Sequence, residues 1–180
     1  ELNMEVSAPQ FMIGAKVEPE LVGIGRLHQK HVASLALTTL FGRASRFYSK
    51  LYAKNILSRD FEIDFDYSAN TATVFFAGES SNPDAVLEEI LAAADEVRRN
   101  GLDEDKFQRV KNAALGALLF GLEDFDNLAV GLAHSAFYDF NCLDTFTRQA
   151  DVTVDECSRF IAETLTPERL AMSVVRPTAG

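Results

Sequence analysis

Along this chain, stretches in which apolar and polar residues alternate are interleaved with stretches in which apolar residues recur every three or four positions. Met4 to Val17 reads as one extended segment interrupted by Pro9, with Phe11, Ile13, Ala15 and Val17 on one face and Met12, Gly14 and Lys16 on the other. Pro9 predicts an edge position or a strand entry, because proline cannot donate to a ladder. Glu18 to Gly25 reads as a connector. Its Gly23 and Gly25 lack the third glycine and the Lys-Ser/Thr of a phosphate loop, so they read as loop flexibility. From Arg26 to Phe41 the apolar set covers more than one helical face, which predicts a mostly buried helix closed by Gly42. Ser45-Arg46-Phe47 then opens a second, short helix.

Phe61 to Tyr67 alternates strictly. Phe61, Ile63, Phe65 and Tyr67 fall on one side, and Glu62, Asp64 and Asp66 on the other. The turn residues 68–71 and a Thr/Val/Phe-rich run from Ala72 to Gly78 complete an antiparallel hairpin. Asn82-Pro83-Asp84 is a helix start, with Asn as cap and Pro at the first helical position. That helix carries the stripe Val86, Leu87, Ile90, Leu91, Ala94, Val97 and ends at Arg98-Arg99-Asn100-Gly101. Asp103-Glu104-Asp105 starts another helix, with Phe107, Val110, Ala114 and Leu118 inward. Its pattern continues, kinked at Gly121 or around 123–126, through Leu128, Leu132, Ala136 and Phe137. Thr153-Val154-Asp155-Glu156 matches a capping box, with Val152 and Cys157 placed as its hydrophobic staple. Phe160, Ile161 and Leu165 face inward from that helix, and Leu170 to Val175 is a last strand before Pro177. No internal repeat, low-complexity tract or linker divides the chain. The pattern predicts one α+β domain over residues 1–180: a single, mostly antiparallel sheet with helices packed on one face.

Composition narrows the function classes. The length of 180 residues, 47% hydrophobic and 24% charged, suits one soluble domain with a sizeable core. A net charge of −10, with 27 acids against 17 Lys and Arg, excludes a phosphate-binding face and so predicts no nucleic-acid partner. No apolar run is long enough to span a bilayer, which predicts no membrane partner. Cys142 and Cys157 both fall in helical patterns and read as free thiols of a reducing compartment, so a cytoplasmic location is expected. The chain opens at Glu1 and enters a strand almost at once, which predicts a piece of a longer polypeptide or a processed chain.

Candidate chemistry is sparse. Leu27-His28-Gln29-Lys30-His31 sets two histidines three apart on a helix, but Lys30 stands where a metallopeptidase would place its general base, and no third ligand follows. Exposed histidines at a helix start are the expectation, His134 is a helix residue near a surface, and no metal is expected in this chain. No Gly-x-Ser-x-Gly occurs, and neither cysteine has a base beside it in sequence. Glu62, Asp64 and Asp66 put three carboxylates on one strand face. They are either a solvated sheet face or a wall offering negative potential to a basic peptide.

The segment Phe41-Gly42-Arg43-Ala44-Ser45-Arg46-Phe47-Tyr48-Ser49-Lys50-Leu51-Tyr52 and the strand after it resemble the pitrilysin/insulinase family of zinc peptidases, in its bacterial branch. Further runs carry the resemblance over nearly the whole chain: Ile13-Gly14-Ala15-Lys16, Gly78-Glu79-Ser80-Ser81-Asn82-Pro83, Gly101-Leu102-Asp103-Glu104-Asp105-Lys106-Phe107, and Val152 to Glu156. The resemblance implies an α+β module of a clamshell built around a peptide chamber. The missing His-x-x-Glu-His implies the non-catalytic, C-terminal half of a longer two-half protein. Zinc and the glutamate base are then expected in the partner half, supplied by the same polypeptide or by a paralogous subunit. Competent relatives carry an arginine and then a tyrosine that reach the substrate; here the matching positions are Tyr52 and Arg59, in reverse order. Either they offer a hydroxyl and a guanidinium to a bound peptide, or they are ordinary surface residues at a helix end. The resemblance also admits a catalytically dead structural or assembly subunit. A stand-alone binding module is a third reading.

Overall fold

The computed structural model describes residues 2–68 and 70–178. Its five strands are β1 (Leu2–Met4), β2 (Gln10–Val17), β3 (Glu62–Ser68), β4 (Thr71–Glu79) and β5 (Leu170–Pro177), in the spatial order β1-β5-β2-β4-β3. All neighbours are antiparallel except β1 and β5, which run parallel with Leu2 opposite Val175. Alternation decides the faces. Phe11, Ile13 and Ala15 of β2 and Ala72, Val74 and Phe76 of β4 point inward and are buried, while Met12 between them is 56% exposed. The α+β class and the one-sided helix layer predicted from the pattern are what the chain adopts.

Seven helices complete the molecule among the described residues: α1 (Gly23–Phe41), α2 (Arg46–Ala53), α3 (Pro83–Asn100), α4 (Glu104–Gly121), α5 (Phe125–Phe137), α6 (Asp144–Asp151) and α7 (Val154–Thr164). Helix α1 buries Val32, Ala33, Leu35, Ala36, Leu37 and Phe41 between the sheet and the other helices, as its all-round apolar pattern requires. At the core's centre Phe41 meets Phe47 and Phe76 edge-on, each at 5.0 Å between ring centroids. The expected caps Asn82 and Thr153 are present, and Ser45 and Asp103 cap the helices they open; each accepts a backbone N–H of the first turn. Gly101, at φ +73°, ends α3 in a conformation an L-residue adopts only with strain.

Several expectations are corrected. Of the two places expected for Pro9, the strand entry is the one it takes and the edge is not: β2 is an interior strand, and the Pro9 carbonyl accepts from Ser80 N at 3.0 Å. Gly23 and Gly25 belong to the first turn of α1, not to a loose connector. The long pattern after Asp103 is broken at residues 122–124 into α4 and a separate α5, whose Leu132 (48% exposed) and Phe137 (83%) face outward. The unpredicted α6 follows, and Cys142 sits in the turn before it rather than within a helix. Strand β5 runs on through Pro177, which pairs with Met4 at the sheet margin, where a missing N–H is tolerated. Position 69 of the predicted hairpin turn lies outside the described residues.

Candidate functional site

The chain between α2 and β3 is built to return on itself. Helix α2 ends where Asn55, at φ +54°, turns the backbone left-handed and donates its N–H to the Tyr52 carbonyl at 3.0 Å; Ile56 N then bonds back to Leu51 O at 3.0 Å. Leu57 forms an isolated bridge with Ser80, and Ser58 N reaches Glu79 O at 3.3 Å, so the returning segment is pinned to the end of β4. Gly78 allows this approach. At φ +153° it passes Phe61, and a Cβ there would stand 3.1 Å from the Phe61 Cα.

The return brings Arg59 back onto Tyr52. The Arg59 Nε donates to the Tyr52 hydroxyl at 3.0 Å. This bond, together with the negative character of the neighbouring phenol, holds the guanidinium pKa above its ordinary value. The Tyr52 ring is held by stacking on Tyr48 (5.6 Å, 12° between planes), and Tyr48 in turn lies 6.2 Å from Phe61 in the core. Behind the pair, Arg43 Nη2 donates to the Arg59 carbonyl at 3.1 Å. The two positions singled out in the sequence are therefore one hydrogen-bonded unit at the sheet end where β2 and β3 begin and β4 stops. No salt bridge among the described residues ties Arg59 to a carboxylate.

Glu62, Asp64 and Asp66 are exposed on the outer face of β3, as alternation predicts, opposite Ala77, Phe75 and Thr73 of β4. Glu62 starts the strand three residues after Arg59. Asp66 lies about 13 Å further along, at the usual strand rise. The three acids form a rim along a sheet face whose middle carries Met12, Gly14, Phe75 and Ala77, rather than a cluster with the tyrosine and arginine. Asp64 turns one oxygen back to its own strand, accepting from Phe65 N at 2.7 Å.

The histidine pair does not fit a zinc ion. His28 Nε2 bonds to Glu156 at 3.0 Å and His31 Nε2 to Thr145 at 2.8 Å, so the two rings serve different helices. Neither is the exposed helix-start histidine expected: both are half-buried against α6 and α7. Burial, then Lys30 and His28, push the His31 pKa down to about 4. Among the described residues no group of three or more His, Cys, Asp or Glu side chains could hold a metal. His134 lies on α5 against Tyr138, with ring centroids 4.7 Å apart. Burial pushes the Cys157 thiol up to about 12, and it points at the Val32 carbonyl 3.5 Å away; it is a packing residue, as its place in the staple predicts.

Sequence reasoning did not find Ser58, whose buried Oγ has no hydrogen-bond partner, nor the support from Arg43; no local pattern marks either. It also missed Arg26, only 7% exposed and clasped between the rings of Tyr67 (3.8 Å) and Tyr138 (3.9 Å). Burial raises the Tyr67 phenol to about 12, the field of Arg26 opposing it.

Comparisons with known proteins bear on this arrangement. Residues 2–114 match the family described as the peptidase M16 inactive domain. The uncharacterized zinc protease YmfH of Bacillus subtilis is 26% identical over 98% of this chain, which covers 41% of that protein. A crystal structure of a candidate M16-like peptidase from Alicyclobacillus acidocaldarius superposes with a TM-score of 0.92 at 22% identity, over 98% of this chain and 43% of that one. The inactive peptidase domain of a candidate zinc protease from Bordetella parapertussis gives 0.78 at 14% identity, over 99% of this chain and 96% of that one. The likeness to the two structures shows the fold. The chain spans about two fifths of the length of the Bacillus and Alicyclobacillus proteins.

Proposed function

Because this chain belongs to the peptidase M16 inactive-domain family, we propose that it is the non-catalytic half of a two-half zinc metallopeptidase, closing a peptide chamber and gripping substrate. The partner half, in the same polypeptide or a paralogous subunit, supplies the zinc and the glutamate that activates water. The observation that carries the reading is the Tyr52–Arg59 unit: an exposed guanidinium and phenol, bonded to each other and paired with no acid among the described residues, at one end of an open sheet face. Such donors hold a peptide carbonyl or carboxylate in place without performing chemistry themselves. The acidic rim of Glu62, Asp64 and Asp66 beside the apolar middle of the sheet gives basic peptides an advantage. The chain works in the cytoplasm, which its two free thiols support. No helix among the described residues is long and apolar enough to cross a membrane.

The partner half seats on the outlying helix α5 and the end of α4. Phe120, Phe125, Val130 and Phe137 are 76%, 80%, 67% and 83% exposed there, and the relatives of this chain carry more than as much again of additional chain.

The test is an Arg59→Ala exchange in the complete protein. Peptide turnover falls while the thermal unfolding profile stays in place, because Arg59 is exposed and its loss leaves no cavity. Wild-type turnover removes Arg59 from the site. Neutralising Glu62, Asp64 and Asp66 together lowers affinity for Lys/Arg-rich peptides, and unchanged affinity dismisses the acidic rim. A complete protein that binds zinc stoichiometrically yet cleaves no peptide belongs instead to the structural or assembly class, to which the apolar face of α5 is equally suited.

A further inference from the structure

Beside the Tyr52–Arg59 unit lies a hollow of about 520 Å³. Its lining includes apolar Pro9, Ile56 and Leu57 and polar Tyr52, Ser58 and Arg59. Three donors there are unspent. Arg59 commits only its Nε, to Tyr52, leaving both Nη amines without a partner among the described residues. The Tyr52 oxygen accepts that bond, so its own hydrogen stays free to donate. Ser58 Oγ is buried and has no partner among the described residues, a cost that a bound acceptor removes. Glu79 also lines the hollow but forms no salt bridge with the arginine. A guanidinium fork with both outer amines free matches the two oxygens of a carboxylate better than the single oxygen of a carbonyl.

We propose that this hollow receives the free C-terminal carboxylate of a peptide, held by Arg59, Tyr52 and Ser58 with the terminal side chain against the apolar part of its lining. The assignment rests on the peptide-gripping reading above and names its ligand. A C-terminal residue presents carboxylate and side chain from one Cα and needs no onward path for the chain, whereas an internal acid must lead the backbone past the hollow in both directions.

The experiment uses the complete protein, stripped of metal with a chelator so that nothing is cleaved, and fluorescence anisotropy of a short fluorescein-labelled peptide ending in leucine. The probe is prepared as the free acid, as the C-terminal amide, and as an amide carrying an internal glutamate. The free acid binds more tightly than either amide by at least about tenfold, the value of a charge-assisted contact. Arg59→Ala abolishes that preference, and Tyr52→Phe and Ser58→Ala each reduce it. Should Arg59→Ala not fold, Arg59→Lys is read instead; it keeps the charge, loses the fork and retains only part of the preference. Equal binding of acid and amide overturns the carboxylate assignment and leaves the peptide-gripping reading standing. An internal glutamate matching the free acid overturns the C-terminal assignment, as does a preference that survives Arg59→Ala. If no probe binds at all, the peptide-gripping reading falls with it.

Discussion

His31 shows how one residue's surroundings outweigh its place in the sequence. Read locally, it is one of two histidines near a helix start; in the fold it is half-buried, with its ring bonded to Thr145, 114 residues away. Its pKa drops from 6.5 to about 4, so the unfolded chain binds a proton in that interval that the folded chain refuses. Stability therefore falls as pH is lowered from about 6.5 to about 4 and levels off below, a loss of up to about 3 kcal/mol from this one group. Chemical unfolding followed across that range checks it. A His31→Gln variant, which keeps a hydrogen-bonding side chain but cannot titrate, shows a flatter curve; an unchanged slope would place the pH dependence elsewhere. Tyr52 and Arg59 could be singled out in the sequence only through the resemblance, which matches them to the substrate-reaching positions of competent relatives. Their bond could not, because it depends on the left-handed Asn55 and on the pinning of residues 57 and 58 to β4.

Among the elements, helix starts were the most readable feature, since a cap acts within three residues of itself. Helix α7 is the fullest case. Thr153 Oγ1 accepts from Glu156 N at 3.3 Å, while Glu156 Oε2 accepts from Thr153 N at 2.9 Å. Burial pushes the Glu156 carboxyl up, but its bonds from Thr153 and His28 outweigh this and hold it below the ordinary range. Thr153→Ala therefore costs about 1 kcal/mol, measured as a shift in the denaturant midpoint with an unchanged slope. No shift would mean that Glu156 caps the helix unaided. Helix α6 was missed because only Gln149 of its eight residues is fully buried, leaving no apolar stripe to betray it. Helix α5 was misdirected rather than missed. Its apolar residues keep helical spacing, but periodicity reports that a face will be covered and not by what.

At the scale of the whole molecule, strand alternation predicted the sheet and its buried side, because Phe11, Ile13, Val74 and Phe76 have one hydrophobic direction in which to point. The seat proposed for a partner half is α5, tied to the body chiefly at its far end, where Gly23 N donates to the Tyr138 carbonyl and Arg26 lies on the Tyr138 ring. A helix of 13 residues with so little cover is marginal alone. Replacing Phe120 and Phe125 by serine removes almost no packing within this chain, since both are largely exposed. In the complete protein the exchange separates the unfolding of the two halves into distinct calorimetric transitions; a single unmoved transition would free α5 of any seating role. The parallel pairing of β1 with β5 has its own consequence during synthesis. Leu2 to Met4 pair with Leu170–Pro177, a strand that follows every other element described here in sequence, so they leave the ribosome long before their partner does. Until it emerges, that margin of the sheet stays incomplete, and β1 waits as loose thread for a seam that only β5 can close.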